Sequence, residues 1–242
     1  MATPRRGAGE NQRALQEAIK DLIVRRGLAP GSPLPTEPEL MAELSVSRHP
    51  LREAIKALQA LGIVHIRHGL GTFVGSPSFS PLEAGLTFHS HLSLHGDLRD
   101  IRDLVQIREV LEIGLIREVL ALADDADFDA LEAAVSTMER EAAEGRTSPE
   151  ADWLFHKTLY EPLRNDLISD LLRVFWSVFD KVNAELPRTV ETPAAAAAAH
   201  RRILDALRGR DEAVLTAAMA EHFTEIRERI SRTTRPSLTP SP

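Results

Sequence analysis

The segment VSRHPLREAIKAL, residues 46–58, constrains the fold of this 242-residue chain more than any other stretch. Ser47 has a side chain suited to capping a helix, and Pro50 falls in the first turn, where its missing N–H is not needed. Apolar side chains then recur at helical spacing along one face, at Leu51, Ile55 and Leu58. The pattern predicts a helix that buries this face and exposes its N-terminal end.

Four polar residues occupy the exposed end of this helix: Ser47, Arg48, His49 and Arg52. A helix-turn-helix presents side chains of this kind to the edges of DNA bases, where guanidinium groups bind guanine. A solvated helix with two ordinary arginines explains these four residues equally well. The flanking sequence therefore has to distinguish the two interpretations.

The flanking segments supply the other parts of a winged helix-turn-helix. Thr36 and Glu39 form a capping box at the start of a short helix that ends before Ser45. Gly62 ends the recognition helix, and IVHIRHGLGTFV, residues 63–74, reads as two short strands around a glycine-bearing turn. Two helices joined by a tight turn and followed by a hairpin are much more specific than any one of these motifs.

These patterns divide the chain into two domains joined by a linker. Residues 11–75 form the winged helix-turn-helix, beginning with a supporting helix, and the turn-rich residues 76–80 form the linker. Residues 81–230 contain helical patterns joined by short connections, one of them over residues 97–122, which predicts an all-α bundle. Residues 1–10 and 231–242 lack an apolar repeat and are expected to be disordered. The predicted fold class is therefore mainly α.

The charge distribution also separates the two domains. Residues 1–75 hold 10 Lys and Arg against 7 Asp and Glu, whereas the rest of the chain holds 19 against 29. The N-terminal part is mildly basic, so one copy would attract DNA phosphates only weakly, and two copies would help. Because the chain has no cysteine and no apolar run that suits a signal peptide or a membrane span, we expect a cytoplasmic protein without a membrane partner.

The N-terminal part resembles the GntR family of bacterial transcription regulators over roughly residues 11–75. The resemblance rests on PGSPLPTEPEL, VSRHPLREAIKAL and the ending G-x-G-T-F-V. It implies that the four polar residues of the recognition helix approach bases and phosphates in the major groove, and that His68 and Gly69 of the wing enter the minor groove. The family usually carries an arginine where this chain has Pro38, so one DNA contact common in the family is absent.

Three histidines and an aspartate occupy positions in the helical part where an inward leucine is expected: Asp152, His156, His200 and His222. Asp152 and His156 lie four residues apart, so one helix can present both to one ion. Carboxylate and neutral imidazole suit a divalent ion, with zinc favoured and nickel, manganese or iron as alternatives. A hydrogen-bonded core residue is the usual explanation of a single inward histidine. Four such residues together favour a metal site.

Arg108 shares a stripe with Leu104, Leu111 and Leu115, and an arginine that points inward needs an anion. The region 81–230 around it resembles the ligand-binding domain of the FadR subfamily of GntR regulators, often called FCD. The matching stretches are IREVLEI, DWLFHKTLYEPLRNDLISDLL, AHRRILDALRGRD and MAEHF.

The FCD resemblance makes the Asp-His-His-His set the metal ligands and Arg108 the anchor for the carboxylate of an effector. A glutamate commonly precedes the third ligand of this set, whereas this chain has Ala199 before His200. The substitution removes one hydrogen bond that could orient a metal ligand.

The sequence therefore predicts a homodimeric DNA-binding regulator that represses at a short pseudo-palindromic operator. A small carboxylate would bridge the metal and Arg108 and shift the population that binds DNA. An enzyme is not expected. A metal-dependent enzyme acting on a small carboxylate remains an alternative, although no general base is placed beside the ligands. An effector-independent DNA-binding protein is the other alternative, and it leaves Arg108 unexplained.

Overall fold

The computed structural model describes residues 8–94, 96–183 and 192–233. The chain divides into two compact units, Met1–Pro81 and Leu82–Pro242. The first unit contains three helices and a two-stranded sheet: α1 (Ala8–Arg25), α2 (Glu37–Leu44), α3 (Arg48–Ala60), β1 (Val64–Arg67) and β2 (Gly71–Val74). This order of elements confirms the predicted winged helix-turn-helix.

The recognition helix α3 is held by its apolar face. Leu51, Ile55 and Leu58 are buried together with Ile19 and Leu22 of α1, in one hydrophobic cluster that also includes α2 and both strands. Burying a leucine or isoleucine side chain contributes about 1.5–3 kcal/mol. The packing of α3 on α1 therefore fixes the recognition helix and leaves its N-terminal end exposed to solvent.

The ends of the two short helices follow the predicted caps. The Glu39 carboxylate accepts hydrogen bonds from the Thr36 backbone N–H and hydroxyl, each at 2.7 Å, at the start of α2. Ser45 ends α2 in the left-handed conformation, and Ser47 is the N-cap of α3 with extended backbone. Pro38 lies in the first turn of α2, where proline is well tolerated.

The wing is the antiparallel pair β1–β2, with Val64 opposite Val74 at one end and Arg67 opposite Gly71 at the turn. The strand ends pack tightly where Gly75 follows β2. A Cβ atom placed on Gly75 would lie 1.9 Å from the Gly62 carbonyl oxygen. Glycine is thus required at this close approach of two backbone segments.

The second unit is all-α: α4 (Ser80–Leu94), α5 (Arg99–Gly114), α6 (Ile116–Leu122), α7 (Asp125–Ala143), α8 (Pro149–Tyr160), a 3-10 turn (Glu161–Leu163), α9 (Asp166–Asn183), α10 (Pro193–Arg208) and α11 (Glu212–Thr233). The predicted all-α bundle is confirmed. One helix predicted over residues 97–122 is instead two helices, which meet at Leu115. Gly114 ends the first of them, and glycine is a poor helix former.

Helices reach further towards both chain ends than the sequence indicated. Residues 8–10 belong to α1 and residues 231–233 to α11, although both stretches were predicted to be disordered. Glu10 in the first turn of α1 stabilises that helix end through the helix dipole. The rest of the two predicted disordered segments lies outside the described residues. Over the described ranges, none of the helices combines the length and apolar character that a membrane span requires.

Helices α5, α8, α10 and α11 carry the polar interior of the second unit. Helix α7 packs against α8 and α10, α10 packs against α11, and α5 packs against α9 and α11. Besides apolar side chains, this interior buries charged and imidazole side chains within the described ranges, namely those of Arg108, Glu112, His156, His200 and His222. Three separate helices therefore bring the three histidines into one region.

Candidate metal site and DNA interface

The three histidines predicted as ligands converge in the second unit. His156 comes from α8, His200 from α10 and His222 from α11, and one ring nitrogen of each lies within 4.8 Å of the others. Their side chains are nearly inaccessible to solvent, at 2%, 2% and 6% exposure. Packing from three helices has thus gathered three imidazoles in a buried cluster.

Hydrogen bonds determine which ring nitrogen carries the hydrogen in two of these histidines, His156 and His200. The Nδ1 of His156 lies 2.7 Å from the Glu112 carboxylate, and the Nδ1 of His200 lies 2.8 Å from the Ala196 carbonyl oxygen. Because both partners only accept, each Nδ1 carries a hydrogen and donates it. In a neutral ring the Nε2 then presents a lone pair, which is the form that binds a metal.

The Nε2 atoms of His156 and His222 are buried and have no hydrogen-bond partner within the described ranges, whereas the Nε2 of His200 lies 2.9 Å from the Asp152 carboxylate. An unpaired buried polar atom costs about 1–3 kcal/mol, so native proteins seldom leave one unsatisfied. Two such atoms beside the Asp152–His200 pair fit a divalent ion bound between them. The residues present therefore suit the metal that the FCD resemblance implied.

Asp152 lies beside this cluster and closest to one of its members. Its Oδ1 is 2.9 Å from the Nε2 of His200, and its Oδ2 accepts a 2.5 Å hydrogen bond from the Trp176 indole. Two ligands bonded at about 2.1 Å to one ion lie about 3 Å apart when they are neighbours in an octahedron. Asp152 and His200 are therefore at the spacing of two adjacent ligands.

Burial and charge set the ionisation of these four groups. Burial lowers the pKa of His156 and, with the neighbouring imidazoles, holds the pKa of His222 well below its ordinary value. Burial also works against a charged His200, but the contact with Asp152 outweighs it and raises the pKa. Burial disfavours the Asp152 carboxylate, yet His200 holds its pKa well below the usual range. The site therefore offers an ionised carboxylate and two neutral imidazoles.

Glu112 is the central buried residue that the sequence interpretation missed. It is fully buried on α5, and its Oε1 accepts from the Arg108 Nε at 2.5 Å while its Oε2 faces His156. The Tyr160 hydroxyl lies 3.2 Å from the same Oε2. Burial alone would raise the Glu112 pKa, but Arg108 and His156 lower it to about 2. The available sequence signal was its position four residues after Arg108 on one helix face.

Arg108 is buried as predicted, although its neighbours differ from the expected stripe. Leu104 is buried with it, whereas Leu111 and Leu115 are only half-buried. The anion that an inward arginine needs is supplied within the chain, by Glu112. The Arg108 Nη2 nevertheless has no hydrogen-bond partner in the described part of the chain.

A cavity of about 150 Å³ adjoins the histidine cluster. Arg108, Asp152, His200 and His222 all contribute to its lining, together with residues of the loop that precedes α8. The cavity thus places a buried guanidinium next to the candidate metal ligands. This arrangement can hold an anion between a metal ion and Arg108.

The structure exposes the residues predicted to bind DNA. Ser47, Arg48, His49 and Arg52 are all exposed at the N-terminal end of α3. Both arginines are directed towards Glu37 at the start of α2. Its carboxylate accepts from Arg52 Nε at 2.7 Å and Nη2 at 3.0 Å, and lies 3.4 Å from Arg48 Nε.

The predicted wing residues are exposed in the turn between the strands. Gly69 has a φ of +76°, a conformation that favours glycine. His68 and Gly69 line one groove with Arg52, whereas the other three predicted residues of the recognition helix do not line it. Arg67, also in this groove, places its guanidinium 4.5 Å from the centre of the Phe73 ring.

An exposed, arginine-bearing recognition helix beside a wing, followed by a separate helical unit, defines the class of DNA-binding transcription regulators. Comparison with known families agrees. Residues 11–74 match bacterial regulatory proteins of the gntR family, and residues 103–225, about half of the chain, match the FCD domain. The chain therefore belongs to the GntR family and carries an FCD domain, which confirms the resemblance to its FadR subfamily.

Similar proteins support the same assignment. The HTH-type transcriptional regulator LutR of Bacillus subtilis is 27% identical over 86% of this chain and 96% of its own length. The HTH-type transcriptional repressor NanR of Cronobacter sakazakii is 28% identical over 88% of this chain and 82% of its own length. The solved structure of Streptococcus agalactiae GntR aligns with a TM-score of 0.54, at 25% identity, over 90% of this chain and 99% of that chain.

These relatives and families are transcription regulators. The expectation that the chain is not an enzyme is therefore confirmed, and the metal-dependent enzyme is set aside.

Proposed function

We propose that this regulator binds a divalent metal ion in its FCD domain and changes its affinity for an operator when a small carboxylate binds beside that ion. The observation that carries the proposal is a cavity lined by unpaired buried polar atoms. These atoms are the Nη2 of Arg108 and the Nε2 of His222, and they lie beside the Asp152–His200 contact. Buried polar atoms without partners are rare in native proteins and call for an explanation, and a bound ion is one.

Asp152, His156, His200 and His222 would hold the metal. One carboxylate and three imidazoles suit zinc, which we favour, and also nickel, manganese or iron. When bound, the ion supplies a Lewis acid that attracts a carboxylate oxygen. The hydrogen bond from Trp176 to Asp152 orients that ligand from outside the site. Ala199 does not leave His200 unoriented, because the Ala196 carbonyl of the same helix accepts from its Nδ1.

The effector would be a small organic acid. A cavity of about 150 Å³ is comparable to one that accommodates benzene, so it admits a ligand of about six non-hydrogen atoms. Arg108 Nη2 can donate to one carboxylate oxygen while its Nε remains bonded to Glu112. Short hydroxy acids combine this size with a carboxylate and a second oxygen ligand.

DNA binding would use two copies of the chain, each placing Arg48 and Arg52 in the major groove of one half of a pseudo-palindrome, with His68 and Gly69 at the minor groove. Repression is supported by the NanR relative, which is named a transcriptional repressor. A regulator of this kind would act in the cytoplasm.

A homodimer is supported by exposed apolar side chains in the FCD domain. On α5, Ile107 and Val110 are 54% and 69% exposed and lie three residues apart, so they share one helix face. Gly114 continues that face at the next turn and is also exposed. Sedimentation of the wild type as a dimer and of Val110→Asp as a monomer would support this face, whereas a dimeric Val110→Asp protein would exclude it.

Operator binding measured with and without metal and acid tests the proposal. An operator is first selected from random DNA duplexes, and hydroxy acids, sugar acids and dicarboxylates are screened on zinc-loaded protein by thermal shift. At least one acid should stabilise the protein and change operator affinity about fivefold or more. Arg108→Ala should remove this response, whereas Arg99→Ala, an exposed arginine on the same helix, should keep it.

An effector-independent DNA-binding protein remains the second candidate. It is favoured by the Arg108–Glu112 pair, which explains the buried arginine without any ligand. If no acid shifts the melting temperature of the zinc-loaded protein or alters operator binding, the second candidate replaces the first.

A further inference from the structure

We propose that Glu112 is a positioning residue through which the metal site and the anion site depend on each other. The inference rests on the proposed function, because it assumes that the histidines bind a metal and that Arg108 binds an anion. It assigns a role to a residue that touches neither ligand.

The two oxygens of Glu112 serve two different sites. Oε1 accepts from Arg108 Nε at 2.5 Å, and Oε2 lies 2.7 Å from His156 Nδ1. The carboxylate is fully buried, so no solvent replaces either partner if that partner moves. An unpaired buried charge costs several kcal/mol, so both contacts should persist together.

On the metal side, Glu112 fixes which nitrogen of His156 is available. Since a carboxylate only accepts, His156 donates from Nδ1 and keeps a lone pair on Nε2. A carboxylate bonded to the far nitrogen of a ligating histidine also increases the basicity of the ligand. Loss of such a partner typically lowers metal affinity 10- to 100-fold.

On the anion side, Glu112 restrains the plane of the Arg108 guanidinium. Its bond to Nε prevents the side chain from rotating, while Nη2 stays unpaired at the cavity. The face of the guanidinium also lies near the Phe223 ring, with 5.6 Å from Cζ to the ring centre. Glu112 and Phe223 therefore orient the Arg108 Nη2 that would donate to an acid, although neither residue contacts the acid.

Glutamine at position 112 can satisfy only one of the two partners. Its carbonyl oxygen could accept from Arg108 Nε or from His156 Nδ1. Its amide would then present hydrogens to the other donor. Facing His156, the amide would favour the tautomer with hydrogen on Nε2, which leaves no lone pair on the nitrogen that faces the other histidines.

Zinc affinity, measured calorimetrically on full-length protein freed of metal, tests the inference. Glu112→Gln should bind zinc at least 10-fold more weakly than the wild type. The matched control is Tyr160→Phe, which removes the hydroxyl beside Oε2 and leaves the carboxylate in place, and should stay within about threefold. Equal affinities for Glu112→Gln and the wild type would overturn the inference. Failure of the wild type to bind zinc would instead overturn the proposed function.

A double-mutant cycle tests the dependence between the sites without any acid. Arg108→Gln removes the guanidinium partner of Oε1, so the carboxylate loses the contact that fixes its orientation towards His156. The loss of zinc affinity caused by Arg108→Gln should therefore be about fivefold larger when position 112 is glutamate than when it is glutamine. If the fold-change in zinc affinity of the double variant equals the product of the fold-changes of the two single variants, Glu112 does not connect the sites.

Imidazole ¹⁵N spectra of the metal-free wild type provide a test that needs no variant to fold. His156 should carry its hydrogen on Nδ1. A spectrum with the hydrogen on Nε2 would overturn the proposed role of Glu112.

Discussion

Removal of the proposed metal ion should destabilise the FCD domain by a predictable amount. In metal-free protein, the Nε2 atoms of His156 and His222 are buried without partners, and each orphaned atom costs about 1–3 kcal/mol. At 100 times its dissociation constant, an ion that binds only the folded state stabilises that state by about 2.7 kcal/mol. For a domain of 150–250 residues, 1 kcal/mol corresponds to about 2–4 °C, so we expect a shift of about 5–11 °C.

Differential scanning calorimetry provides the measurement. Because the chain forms two units, two transitions are expected, and only the transition of the FCD domain should move when zinc is removed and restored. His222→Ala should abolish the zinc response. The control is His65→Ala, which replaces an exposed histidine of the wing and should keep the full response. An unchanged wild-type transition after chelation, or an equal loss in both variants, would refute the assignment of these histidines as ligands.

Other substitutions test other parts of the chain. Arg48→Ala should weaken operator binding by about 1–3 kcal/mol while the melting curve stays unchanged. Unaltered binding in a fluorescence anisotropy assay would show that Arg48 does not contact the operator. Gly75→Ala should destabilise the DNA-binding unit by about 3 kcal/mol or more, because its Cβ would overlap the Gly62 carbonyl oxygen. The control is Gly9→Ala, which adds a Cβ in open space, and similar urea unfolding midpoints for the two variants would contradict the prediction. Asp124→Ala removes the cap that accepts from two backbone N–H groups at the start of α7, and a loss of about 1 kcal/mol is expected in urea unfolding; no loss would show that this cap is not needed.

The fold could be predicted closely where local chemistry decides it. The capping box at Thr36 and the glycine turn at Gly69 depend on neighbours in sequence, and both lie where the sequence placed them. The division of one predicted helix at Leu115 was missed, because Gly114 weakens a helix without necessarily ending it. Whether the chain continues straight there depends on packing against other helices.

The candidate site was predictable only in part. Inward spacing on separate helices was enough to select His156, His200 and His222, because apolar periodicity shows which face is buried. Glu112 was missed, although it pairs with both Arg108 and His156. A glutamate is usually exposed, and no sequence pattern shows that a histidine 44 residues away will lie beside it.

The sequence by itself determined the winged helix-turn-helix, the all-α second unit and the membership in a family of regulators, since caps, turns and periodicity act over a few residues. Only the tertiary structure decided that Glu112 is the anion facing Arg108 and that Glu37 pairs with both arginines of the recognition helix. It also decided that one ring nitrogen of each of the three histidines lies within 4.8 Å of the others. These outcomes depend on how helices pack, and packing is fixed by complementary side-chain shapes that are distant in sequence.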